Sequence, residues 1–158
     1  MTSTLSRLLA AAVLAASTLT AFAADYTPAA ASVDKLAPAR AQIAAKQWSG
    51  AIDELKKLND TGSADWNNLM GYSLRKAPVP DYDAAEKFYL EALRIDPKHR
   101  GALEYSGELY LMKGDLGMAE SRLAALDKVC FLPCDEFTNL KKAVAAYKAN
   151  RNKYVPAN

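Results

Sequence analysis

From Ser49 to Val129 apolar residues return at steps of three and four, and each run ends at a polar cluster or a proline, so the chain reads as a series of amphipathic helices. Ala51, Ile52, Leu55 and Leu58 form one stripe over Ser49–Leu58. Trp66, Leu69, Met70 and Leu74 form the next over Ala64–Lys76, after the turn cluster from Asn59 to Ser63. Pro78 and Pro80 stop that helix, because each lacks an amide donor and restrains the residue before it. Ala84, Ala85, Phe88, Tyr89, Ala92 and Leu93 mark a helix over Asp81–Ile95, closed by Asp96 and Pro97. Arg100–Met112 and Leu116–Val129 follow, joined by the tight turn Lys113-Gly114-Asp115. A short alanine-rich helix over Ala39–Lys46, with Pro38 at its start, precedes this series. Asp135–Asn150 ends it and sets Phe137, Leu140, Val144 and Tyr147 on one face. The fold class is all-α.

The helices also repeat. Ala51, Ala85 and Ala119 stand 34 residues apart. Trp48, Tyr82 and Leu116 precede them by three, Leu55, Tyr89 and Leu123 follow by four, and Leu58, Ala92 and Leu126 by seven. Such a period is the mark of stacked helix pairs, an α-solenoid. Gly71 and Gly107 hold matching places in the second and third pairs, where a missing side chain admits a neighbouring helix. Gly71 lies 14 residues before its alanine and Gly107 only 12, the difference falling in the proline-bearing turn, where loops tolerate length changes. A stack of pairs needs an end piece with one apolar and one wet side, and Asp135–Asn150 supplies it as a C-terminal cap.

Gly107, Tyr110, Gly114, Asp115 and Ala119, with Tyr82, Ala85, Tyr89, Ala92, Asp96 and Pro97 one unit earlier, resemble the tetratricopeptide repeat family over roughly Ala37 to Val129. The first unit departs from the pattern, with Pro38 where the family has helix interior. The resemblance implies about three antiparallel pairs wound into a right-handed superhelix. Its concave groove, lined by the first helix of each pair, is then expected to bind a peptide or protein segment. Carried over by register, the lining is Asp65, Asn68, Tyr72 and Arg75 from one pair and Glu104, Glu108 and Leu111 from the next. Tyr72 and Leu111 are expected as apolar contacts, with Asp65, Arg75, Glu104 and Glu108 setting charge preference. Where relatives that clamp a C-terminal carboxylate carry Lys, Arg and Asn, this chain has Leu36, Arg40, Leu69, Gly101 and Tyr105, of which only Arg40 suits that chemistry.

Charge adds little pressure toward any partner class: 20 Lys+Arg against 18 Asp+Glu gives no reason to expect nucleic acid. After Glu136 every charged side chain is basic, which reads as a solvated helix face running into a tail over residues 151–158. At the other end Arg7, the apolar run Leu8–Ala16 and the sequence Ala21-Phe22-Ala23 have the layout of a signal peptide over residues 1–23. Residues 24–36 read as a flexible segment, 37–130 as repeats and 131–150 as the cap. The leader predicts a periplasmic or secreted protein. It also predicts no retained transmembrane segment, since no later run approaches the roughly 20 apolar residues a bilayer demands.

Cys130 and Cys134 are the only cysteines and flank Phe131-Leu132-Pro133 between the last repeat and the cap. In an exported chain they suggest a structural disulfide, and four residues along a helical turn bring Cα atoms to about 6 Å, within its reach. Two thiolates also suit Cu(I) or thiol exchange, so a thiol- or copper-handling protein is the alternative. Zinc needs two further ligands, and no metal site is assigned. The sole histidine, His99, falls in a turn, and no glycine-rich phosphate loop is present, so neither catalytic residues nor cofactors are expected. Glu104 and Glu108 share a helical face suited to a cation or a basic peptide, or to plain solvation. The reading is a non-enzymatic interaction module, an adaptor or scaffold of the cell envelope whose partner is a protein or peptide.

Overall fold

The computed structural model describes residues 33–132 and 134–154. The leader expected over residues 1–23, most of the segment over 24–36 and the end of the tail lie outside the described residues. Within them the chain forms α1 (Ala37–Ala44), α2 (Trp48–Leu58), α3 (Ala64–Lys76), α4 (Tyr82–Ile95), α5 (Arg100–Met112), α6 (Leu116–Val129) and α7 (Asp135–Ala149). Among the described residues the architecture is an all-α solenoid. Helices pair as α1 with α2, α3 with α4 and α5 with α6, and α7 packs on α5 and α6.

The 34-residue register has a packing cause. Ala51, Ala85 and Ala119 are each 0% exposed, at the closest approaches between helices, where a larger side chain would hold the axes apart. Gly71 makes the complementary concession from α3, since a Cβ there would stand 3.0 Å from the Ala85 carbonyl oxygen and 2.9 Å from the Tyr89 ring. Gly107 on α5 serves a different neighbour, as a Cβ there would collide with Leu140 of α7. That notch seats the cap. Leu140, Val144 and Tyr147 then join Leu103, Tyr110, Leu111, Ala119 and Leu126 in one apolar cluster.

Helix starts are set by side chains that accept an otherwise orphaned amide. Ser63 accepts from Trp66, Asp81 from Ala84 and Asp115 from Met118. The α5 cap is His99, whose Nδ1 accepts from the Ala102 amide at 3.0 Å. The first helix begins two residues before the alanine run suggests, because Asp34 Oδ1 accepts from the Leu36 amide at 3.0 Å and turns the chain inward. Leu36 thereby buries among Trp66, Leu69 and Met70. The helix stops early as well, since Lys46 takes a left-handed conformation with φ 56°.

Candidate binding groove

The first helices of the pairs, α1, α3 and α5, lie side by side, and α7 extends the row past α5. Between them opens a groove of about 380 Å³. Arg40 and Ile43 of α1 form one wall, Asn68, Leu69 and Tyr72 of α3 with Gly101, Glu104 and Tyr105 of α5 the floor, and Asp135, Glu136 and Asn139 of α7 the far wall.

Three of the seven residues expected in the groove line it, namely Asn68, Tyr72 and Glu104. Asp65 stands beside it as a hub. His99 has committed Nδ1 to its cap, so Nε2 carries the proton and donates to Asp65 Oδ1 at 2.9 Å, while Arg40 Nη2 approaches Oδ2 at 3.3 Å. The hydrogen bond from His99 is the main reason that the Asp65 carboxyl is held below its ordinary range.

Arg75, Glu108 and Leu111 depart from expectation. Leu111 is 1% exposed, covered by α6 and α7, and is core rather than an apolar anchor. The Arg75 side chain is 1% exposed, and its Nη1 meets Glu108 Oε2 at 2.7 Å. Arg75 Nε also donates to the Tyr89 hydroxyl at 3.3 Å, and its guanidinium lies 5.5 Å from the centroids of both Tyr72 and Tyr105. The two charges are spent on each other and set no charge preference at an open surface. Trp48, Tyr72, Tyr105 and Tyr89 run as a ladder of aromatic contacts beside this pair.

Beyond α7, Arg151 and Asn152 take left-handed conformations, and the Asn152 amide returns to the Tyr147 carbonyl at 2.9 Å. This reversal carries Tyr154 back against the last core cluster, where its side chain is partly buried. The start of the expected free tail is thus a packed segment.

Two acceptors in the groove lack their natural complement. Glu104 is 5% exposed and receives a hydrogen bond from Asn139 Nδ2 at 3.1 Å, yet no cation among the described residues pairs with it. Burial raises its carboxyl to about 7. Asn68 is 7% exposed, and its Oδ1 is buried with no hydrogen-bond partner.

Of the positions where relatives clamp a carboxylate, Arg40, Leu69, Gly101 and Tyr105 line the groove and Leu36 does not, whereas the α7 wall was not expected from register. A signal for that wall was present, because Asp135 and Asn139 stand 34 residues after Gly101 and Tyr105 and so continue the first-helix register into α7. Cys130 and Cys134 sit at the end of α6 and the start of α7 with their sulfurs paired across the turn and Cα atoms 5.9 Å apart, away from the groove lining.

No protein-family model matches the chain, and no curated protein sequence matches it. Solved structures do. The type III secretion translocator chaperone SycD of Yersinia enterocolitica matches with TM-score 0.63 at 21% identity, over 74% of this chain and 83% of that one. SycD in complex with a peptide of the translocator YopD matches with TM-score 0.60 at 21% identity, over 74% and 92%. The fold is therefore similar to that of SycD, a tetratricopeptide-like helical solenoid. The periplasmic or secreted address expected from the leader is corrected here and not carried forward, because the fold is shared with a type III secretion chaperone. Among the described residues no helix is long and apolar enough to cross a membrane.

Proposed function

We propose that the chain is a non-enzymatic binding protein of the adaptor or chaperone kind, which takes a segment of a partner protein in the groove between α1, α3, α5 and α7. The observation that carries this reading is the groove itself: an open channel whose floor combines an aromatic face with a buried carboxylate that has no counter-ion and an Asn68 oxygen that has no protein donor. A peptide supplies such a floor with both apolar area and amide donors. The SycD complex with a YopD peptide supports a peptide as the ligand class. The thiol- or copper-handling alternative has no comparable support, because Cys130 and Cys134 hold a helix-to-helix turn.

The test fills the groove. Gly101 lies on the floor near the start of α5, where the nearest neighbours of a Cβ would be the Asn68 side-chain amide, its nitrogen at 3.0 Å, and the edge of the His99 ring at 3.4 Å. Gly101→Leu adds bulk to the channel and replaces glycine with a better helix former. Peptides selected on the full chain from a random display library should lose binding to this variant while its thermal melt holds. Unchanged binding would place the working surface elsewhere.

A further inference from the structure

We propose that the open half of the groove selects a lysine or arginine side chain of the bound segment, with Glu104 as its counter-ion and Asn68 as a second acceptor. This rests on the peptide-binding reading and specifies the chemistry of its ligand.

Glu104 is a buried carboxylate that faces an open channel without a cation. Its cationic neighbours face other carboxylates. Arg75 is held by Glu108 at 2.7 Å, Arg40 by Asp34 at 3.5 Å and Asp65 at 3.3 Å, and Arg100 by Glu136 at 3.7 Å. Asn139 satisfies one carboxylate oxygen only, at 3.1 Å. Asn68 independently points the same way, as it lines the same floor, is 93% buried by its 7% exposure, and offers an oxygen that no protein group meets.

A ligand carrying a carboxylate or an apolar anchor here would leave the Asn68 oxygen without a donor and the Glu104 carboxylate without a counter-charge, and the carboxylate would add like-charge repulsion. An ammonium or guanidinium brings several donors and the opposite charge. A charge-assisted bond in a site shielded from water is stronger than its solvent-exposed counterpart. Asp135 and Glu136 on the far wall extend the negative field to the mouth of the groove and would steer a basic segment inward. The preference is opposite to that of a carboxylate clamp, in keeping with Leu69, Gly101 and Tyr105 at those positions.

Random twelve-residue peptides displayed on phage are panned on the full chain and on Glu104→Gln, and the selected sequences are resynthesised with acetylated N-termini. The expected result is a basic residue at one aligned position in the wild-type set, absent from the Glu104→Gln set. Replacing it with methionine should weaken binding to the wild type by about 10- to 100-fold and leave binding to Glu104→Gln nearly unchanged. The peptide substitution needs no change to the protein, so a folding defect in Glu104→Gln cannot produce that loss. Wild-type peptides that bind the groove but share no basic position would overturn this inference and leave the peptide-binding reading standing. Binding lost on acetylation alone would give the cation to a terminal amine and overturn the side-chain assignment. No peptide enriched at all would overturn both.

Discussion

Replacing Arg75 tests the interior of the solenoid where three helices meet through charge. Its side chain and that of Glu108 are 1% and 16% exposed, with Nη1 and Oε2 2.7 Å apart. Burial opposes a charge on Arg75, while the Tyr89 hydroxyl and the Glu108 carboxylate favour it, and these partners hold the guanidinium protonated. Arg75→Met leaves the Glu108 carboxylate in the same poorly hydrated place with its counter-ion gone. Breaking a buried pair from one side costs about 3–5 kcal/mol, a large share of the roughly 5–15 kcal/mol that holds a domain folded. The melting temperature should fall by roughly 10–20 °C for a chain of this size. Glu108→Leu should cost a similar amount by orphaning the guanidinium. Arg75→Met with Glu108→Leu should recover most of either loss, because an apolar pair of similar volume is often neutral in place of a buried ion pair. Urea unfolding followed by helical circular dichroism at pH 7 measures all four corners of the cycle, with the denaturant slope checked for constancy. Single variants within about 1 kcal/mol of wild type, or a double variant that loses the sum of both, would refute the reasoning.

Glu104→Gln should separate from wild type by pH: the folded chain keeps the Glu104 proton from 4.5 up to about 7, where the unfolded chain releases it, so stability falls as pH rises through that window. Thermal melts should therefore coincide near pH 4 and favour the glutamine variant at pH 8, and an equal difference at both would contradict the burial argument. Gly107→Ala puts a Cβ 2.5 Å from Leu140 Cδ2 and should cost about 1–3 kcal/mol. Its amide exchange should quicken in α7 above all, whereas unperturbed α7 protection would mean that the cap is not seated through this notch. Protein purified in air should show no titratable thiol before reduction, and reduction should cost about 2 kcal/mol by the short-loop entropy estimate. Two free thiols at the outset would refute the disulfide.

Much of the fold was legible because close packing writes itself into the sequence at fixed spacing. A residue that must be alanine at every helix contact, as at Ala51, Ala85 and Ala119, leaves a period that survives variation elsewhere. Turn chemistry fixed the boundaries of α3, α5 and α6 equally well, whereas α1 shifted because its start depends on Asp34 and on where Leu36 finds cover. Groove residues were less legible. Register places a Cα on the concave side, but whether its side chain reaches solvent depends on what lies above it. The cap buried Leu111, and a three-dimensional match of Arg75 to Glu108 across two helices internalised both charges. Neither event has a local signature. The α7 wall is hidden for another reason: the apolar stripe of Asp135–Asn150 has the form of an end piece, and the polar side that enters the groove shows only in its 34-residue offset from Gly101 and Tyr105.

On the proposed function a partner segment binds the face shared by α1, α3, α5 and α7. Amide and side-chain NMR spectra of the full chain, recorded as a display-selected peptide is titrated in, test it most directly. The largest shifts should fall on the backbone of Gly101 and Tyr105 and on the side-chain amides of Asn68 and Asn139. Shifts gathered instead around the Cys130 to Cys134 turn, or on the outer helices α2, α4 and α6, would contradict it.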